Sequence, residues 1–459
     1  TDTQIANILE RPLVGTFNIA SHGVDWSELV ADARLRLQLK EQTNASEFDI
    51  DVSLQPQTNG TLATIHDMHW RDSDARGTVS FRNVEPPLWQ MDITSDFVDL
   101  TPFESDPVTP GSIKPERQGI IQSIASATQQ TLGLLSSTVT GRANRPGQPG
   151  AESNSFFSAE PWSATLLDTV VADIKLDAAR VQTRRGVARN VALRANVANR
   201  RLDLDIVSGE ANGGPLGLSL VYDAAEIPPR VQLTAWLDNV RPKDDPDMAP
   251  MTVFLDLAGV GDNEAALAGS MVGQMYLAAG RGSGDYAILG AGLFTGDLVQ
   301  SVFRNLLPKA NEAPHLSCAV GYGEVVDGKF QTPAALVLRT REANILVRVQ
   351  ADFAEETLSA QFDSRSISGT GISVGNVFSD TVRLEGSLLA PKIVPDKNRL
   401  LWRYGAAVAT SGLTLVGESL YKRLMADPDP CGSLRTEIRS QVCESDTPAA
   451  RSPLVCPDV

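Results

Sequence analysis

Apolar and polar residues alternate along most of this chain, and a period of two is the signature of an extended strand with one face for a core and one for water. In Phe48-Asp49-Ile50-Asp51-Val52-Ser53-Leu54 the two polarities are fully segregated. Leu35, Leu37 and Leu39 alternate with Arg36 and Gln38, and Leu202, Leu204 and Ile206 alternate with Asp203 and Asp205. After Gly213-Gly214-Pro215 the period resumes through Leu216, Leu218, Leu220 and Tyr222, which predicts a hairpin. It continues in Val231, Leu233, Ala235 and Leu237, in Val253, Leu255 and Leu257, and in Ile345, Val347 and Val349. Leu358, Ala360 and Phe362, then Val382, Leu384, Gly386 and Leu388, close the series. The expected fold is mainly β with short helices. Such strands must hide their apolar faces against another layer or a ligand.

Two short segments recur. Trp26-Ser27 leads into Val30-Ala31-Asp32-Ala33-Arg34-Leu35, and Trp162-Ser163 leads into Val171-Ala172-Asp173-Ile174-Lys175-Leu176. Pro86-Pro87-Leu88-Trp89-Gln90-Met91 matches Pro228-Pro229-Arg230-Val231-Gln232-Leu233. The displacements are 171 − 30 = 141 and 228 − 86 = 142, so the two landmarks agree on a tandem repeat and an elongated array. The implied organisation is a first β unit over 1–105, a Pro- and Gly-flanked insert over 106–155 with a weakly amphipathic helix between Gly119 and Val139, a second β unit over 156–245, a further β unit over 246–399, and a tail over 400–459. A short helix precedes a strand in each repeat, with Ser27 or Ser163 as N-cap. Helices are also expected over Asn263–Gly273 and Asp285–Leu307. In the tail, Leu413, Leu415 and Leu420 lie between Trp402 and Tyr404 at one end and Tyr421 at the other. That reads either as an interfacial helix or as a lid over the last sheet.

Forty basic against 56 acidic residues give a formal charge of -16, which would repel phosphate backbones and excludes nucleic acid as a partner. Four cysteines, Cys318, Cys431, Cys443 and Cys456, are either free thiols or disulfides of an oxidising compartment. A helix over Gly432–Gln441 would hold Cys431 and Cys443 about 18 Å apart, which disfavours their direct pairing and leaves Cys318 with one and Cys456 with the other. Their spacing does not suit zinc, and no metal or cofactor is expected. His66 and His69, three apart on a strand, would face opposite sides; His22 and His315 add little, although His315 near Cys318 is a weak nucleophile-base pair. Gly280, Gly282 and Gly284 only approximate a dinucleotide loop or a nucleophile elbow and read as a turn between strand and helix. No catalytic set emerges, and the chain is expected not to be an enzyme.

The ordered pattern resembles the C-terminal region of AsmA-like proteins of Gram-negative envelopes, relatives of the TamB-type bridge-like lipid carriers. It is carried by Pro161-Trp162 through Leu176, the Leu202 to Tyr222 strand pair, Leu255 to Gly261 with Ala265-Ala266-Leu267, Leu316-Ser317-Cys318-Ala319-Val320 with Val326-Asp327-Gly328, and Leu384 to Ile393. The resemblance implies a curled antiparallel sheet forming an open greasy groove with capping helices. It also implies a periplasmic location, an inner-membrane anchor absent from this chain, and a role in phospholipid transport or outer-membrane homeostasis. Contact with acyl chains would then fall to Leu35, Leu37, Leu39, Ile50, Val52, Leu202, Leu204, Ile206, Leu216, Leu218, Leu220, Val231, Leu233, Val253, Leu255, Val347, Val349, Val382 and Leu384. The membrane or lid contact would be Trp402, Tyr404, Leu413, Leu415, Leu420 and Tyr421, with the inner or outer membrane as neighbour. The alternative is an envelope assembly module that binds outer-membrane protein strands on a free sheet edge.

Overall fold

A strand satisfies its amides only against another strand, so each alternating run pairs with its neighbour in the chain. The computed structural model describes residues 13–20, 33–41, 47–101, 155–183, 186–241, 246–283, 315–341, 343–367, 382–388, 390–395, 424, 427–443, 452 and 454–456. Its strands all belong to one large, curled, predominantly antiparallel sheet, and helices are few and short. Strands β1 (Leu13–Ala20), β2 (Ala33–Glu41), β3 (Glu47–Gln57), β4 (Gly60–Trp70), β5 (Ser73–Arg82) and β6 (Leu88–Ser95) follow one another across the sheet. The short β7 (Val98–Asp99) comes next in the chain. After a crossover, β8 (Val171–Thr183) lies parallel to β6 and to β7, and these are the parallel pairings between its named strands.

The antiparallel order then resumes through β9 (Gly186–Ala198), β10 (Arg201–Ala211), β11 (Gly214–Asp223), β12 (Arg230–Val240), β13 (Met251–Val260) and β14 (Val272–Ala279). The two-residue β15 (Gly282–Ser283) continues the rank of β14 against β16 (His315–Val326). Next come β17 (Lys329–Gln331) and β18 (Leu336–Thr340), end to end in one rank between β16 and β19 (Ala343–Asp352), then β20 (Thr357–Ser366), β21 (Val382–Ser387) and β22 (Ala390–Pro395). After a bend at Arg281, Gly282 and Ser283 continue the sheet as β15, where Gly282 passes close to Met248 and Ala249; the helix expected to follow this turn lies outside the described residues.

The repeat has a counterpart in this order. β4 and β10 begin at 60 and 201, β5 and β11 at 73 and 214, and each difference is 141 (201 − 60; 214 − 73). Trp89 and Val231 follow the two Pro-Pro pairs and lie in one row of opposed residues, Trp89–Ala172–Val197–Leu202–Tyr222–Val231, so both pairs sit at the same rim.

Three helices are described: α1 (Thr165–Thr169), α2 (Glu264–Ser270) and α3 (Pro430–Val442). Asn263 caps α2 by accepting from the Ala266 amide at 2.8 Å. Ser163 does not cap α1 as expected; its hydroxyl lies 2.9 Å from that of Thr165, because the helix begins two residues later. Of the other expected helices, those after Ser27, between Gly119 and Val139, over Asp285–Leu307 and between Trp402 and Tyr421 lie outside the described residues.

At the C-terminal end the sheet is buried on both faces. On one face Leu316, Ala319, Leu338, Ile345, Val347, Ala360 and Leu384 form a single cluster with Met251 and Ala279, so the curl brings β13 and β14 against β19 to β21. On the other face Leu434, Ile438 and Val442 of α3 cover Phe254, Val320, Val337 and Leu346. A register shift between Leu316 and Cys318 sends Leu316 into the inner cluster and Cys318 to the outer face, where it bonds Cys431 at the start of α3. Cys443 at the end of α3 bonds Cys456. Both pairings are among those left open by the 18 Å argument.

In the chain-entropy picture the first disulfide, closing 113 residues, contributes about 5 kcal/mol and the second, closing 13, about 3 kcal/mol. Reduction, or Cys318→Ser with Cys431→Ser, is expected to release α3 and expose Val320 and Val337 before the sheet itself melts. Thermal unfolding of oxidised and reduced protein, with limited proteolysis locating the first cut, measures this. A single unchanged transition on reduction would contradict it.

Candidate functional site

Opposed residues in neighbouring strands share a face, so the registers can be followed across the sheet as rows. One row begins Ala33–Leu54–Ala63–Val79–Met91–Ile174–Ala195–Leu204. It continues Leu220–Leu233–Leu257–Gly273–Val325–Phe330–Ala351–Leu358. The adjacent row runs Ile19–Leu35–Val52–Ile65–Gly77–Ile93–Leu176, then Leu193–Ile206–Leu218–Ala235–Leu255–Met275–Gly323. Neither contains a polar side chain. From Ala33 to Val325 the first row makes twelve inter-strand steps of about 4.8 Å, a path of roughly 58 Å along the sheet.

The row between them on the opposite face has the reverse character. It reads Arg34–Ser53–Thr64–Thr78–Asp92–Lys175–Arg194–Asp205–Ser219–Thr234–Asp256–Gln274–Glu324. Cross-strand contacts on that face include Arg194 with Asp177 at 3.0 Å and Thr234 donating to Asp256 at 2.8 Å. Nearer the closed end, burial holds the Tyr322 hydroxyl well above the usual tyrosine range, and it donates to Gln274 at 2.9 Å.

Bulges keep this parity intact. In β4, Ile65 and Met68 both belong to the apolar face, although three residues apart they would oppose each other in a regular strand. The same bulge corrects the expectation for the histidines, which both lie on the polar side with separate partners: His66 Nε2 is 2.9 Å from Ser53 Oγ, and His69 Nε2 is 3.1 Å from Asp67. Among the described residues there is no group of His, Cys, Asp and Glu that could hold a metal. At Gly77 and Gly273, φ is +147° and a Cβ would fall about 2 Å from the Asp92 or Asp256 carbonyl oxygen, so only glycine fits where these strands close up.

The apolar face changes state along its length. Ile65, Val79, Met91, Ile174, Leu176, Leu193, Leu204, Ile206, Leu218, Leu220, Leu233 and Leu255 are all only half-buried. Val347, Val349 and Leu384, by contrast, are 2%, 3% and 1% exposed within the closed cluster. Those three are corrected to ordinary core, because the curl has filled the interior around them and they offer no free surface to a ligand. Of the remaining candidates, Ile50, Leu202, Leu216, Val231 and Val253 lie on the same face as Val52 and Leu204. Leu37 and Leu39 lie opposite Ile50 and Phe48, and Val382 opposite Phe362. Trp402, Tyr404, Leu413, Leu415, Leu420 and Tyr421 lie outside the described residues. Sequence reasoning missed Val79, Met91, Ile93, Ile174 and Leu193. Pairing with already alternating neighbours is the signal that finds them.

The rim near β8 to β14 is crossed by residues 155–163. Phe156 and Phe157 amides donate to Glu356 at 2.7 and 2.9 Å, Ser158 donates to buried Glu264 at 3.1 Å, and Trp162 donates to the Asp262 carbonyl at 2.7 Å. Trp162 meets Tyr222 edge-on, and Leu167 of α1 packs with Ala172, Val197 and Leu202. This strap ties the β19–β20 turn to α2 and to the start of β8. The chain matches no protein-family model, no curated protein and no solved structure.

The contrast between half-buried and filled stretches predicts different costs. Leu204→Asp or Leu218→Asp should lower unfolding free energy by at most about 2 kcal/mol, since the carboxylate keeps access to water, whereas Val347→Asp should cost about 4 kcal/mol or more. Denaturant titration compares them. Equal losses at Leu218 and Val347 would mean the stripe is filled throughout.

Proposed function

We propose that this chain handles phospholipid, sheltering acyl chains along the open part of the apolar stripe and leaving headgroups at the rim, with no catalytic step. One observation carries the reading: two adjacent rows without a polar side chain cross the sheet, yet most of their members between β3 and β13, Val52 and Ala195 excepted, remain half-buried. Leaving so much apolar surface uncovered is costly unless something covers it, and each CH2 that moves from water onto the stripe is worth about 0.8 kcal/mol. Membership of the AsmA-like, TamB-related group is part of the proposal, supported by the curled sheet and short helices. Two disulfides support a periplasmic or other oxidising location.

An assembly role is favoured by one separate feature. The outer edge of β1 has no partner strand among the described residues and carries no proline, while β22 at the other end of the sheet has Pro391 and Pro395. An outer-membrane protein strand pairing with β1 would make this an envelope module without lipid.

Organic extraction of the purified protein followed by mass spectrometry separates the two readings. Phospholipid is expected in the extract, and Leu204→Arg with Leu218→Arg should deplete it severalfold while leaving the far-ultraviolet circular dichroism of a β protein. A lipid-free wild type carrying a bound partner protein would favour β1 pairing instead.

A further inference from the structure

Four arginines from separate parts of the chain line one cleft of about 470 Å³ at the rim opposite the strap. Arg281 comes from the link between β14 and β15, Arg339 from β18, Arg341 from the turn after it and Arg435 from α3. The Cys318–Cys431 disulfide lines the same cleft and fixes α3 against β16, and so fixes the backbone that carries Arg435. Ser317 also lines it.

Acidic residues outnumber basic ones in this chain, 56 to 40, yet the cleft holds four arginines and one carboxylate, Asp429. That carboxylate is already engaged. It accepts from the Gly432 amide as the cap of α3 and lies 3.8 Å from Arg339 Nη1. Nearby, Asp427 accepts from Ser433 and from the Asp429 amide, which hold its carboxyl below the usual range, with Arg339 assisting. Burial holds the Tyr276 hydroxyl above its usual range, with the charges of Arg435 and Arg439 acting against it. Among the described residues no carboxylate pairs with Arg281 or Arg341. Like charges gathered in this way repel, and a bound anion relieves that repulsion.

We propose that this cleft binds a phosphate group, either that of an anionic phospholipid or a free phosphate. Guanidinium forks match phosphate oxygens in pairs, and a point-like ammonium would not replace them. Because α3 is capped by its own Asp429, the arginines and not the helix end supply the attraction. The cleft lies on the face away from the apolar stripe, since Arg339 opposes Cys318 there, so it stands independently of the lipid-handling reading.

The test uses the full, oxidised chain. Inorganic phosphate is titrated calorimetrically into wild type, into the double variant R281Q/R341Q and into Asp429→Asn, whose side chain still caps a helix. Binding should weaken about tenfold or more per guanidinium removed and tighten in Asp429→Asn. Flotation with phosphatidylcholine vesicles, with and without phosphatidylglycerol, identifies the source. Phosphate-competed binding to the phosphatidylglycerol vesicles, lost in the double variant, assigns a lipid headgroup; phosphate binding without flotation assigns a soluble anion. The proposal is overturned if R281Q/R341Q binds phosphate as wild type does, or if wild type binds neither phosphate nor vesicles. Lipid copurifying from the groove could still be found in that case, so the two readings fail separately.

Discussion

Register is the constraint on which the rest of this structure depends. A strand has two faces because side chains alternate, and a slip of one residue anywhere between β2 and β20 would invert every side chain beyond it. The rows through Leu204 and Leu218 remain apolar, and the row through Asp205 remains polar, only because each pairing preserves parity. Where the chain spacing would break it, a bulge restores it, as between Ile65 and Met68. The shift beside Ser317 is the instructive exception in purpose: it turns Cys318 outward while Leu316 stays inside, and a disulfide to α3 becomes available.

One continuous surface thus meets two fates. Near β19 to β21 the curl is tight enough for the sheet to pack against itself, and Ile345, Leu358 and Leu384 lose nearly all contact with water. Glycines assist there, because a Cβ at Gly323 would overlap the Phe330 ring and one at Gly321 the Leu336 side chain. Between β3 and β13 the same face remains partly wet. The filled end resembles the core of a sandwich and supplies stability; the open stretch has apolar surface to spare.

Much of this was legible in the residues, because period-two patterning reports the face of a strand directly. Phe48 to Leu54 and Leu202 to Tyr222 are strands as expected, and Asn263 caps α2 where Ala265, Ala266 and Leu267 marked a helix. Burial was not legible: Val349 and Leu220 look alike in sequence, and what separates them is how far the sheet has curled by β19. The histidine geometry failed for a related reason, since a bulge leaves no mark in a pattern of two. Arg281, Arg339, Arg341 and Arg435 are spread over more than 150 residues (435 − 281 = 154), and only the sheet and the Cys318–Cys431 bond bring them into one cleft.

The parallel contact between β6 and β8 has a consequence for how such a molecule can grow. β2 to β6 and β8 to β12 are each five strands, an odd number, so each series ends running in the direction in which it began. An antiparallel junction would turn the second series upside down, and the two Pro-Pro pairs would then lie on opposite rims. The parallel junction makes the operation relating them a translation. Copies could be added or deleted by gene duplication without exchanging top for bottom, and the length of the stripe would become a variable that evolution sets independently of its polarity.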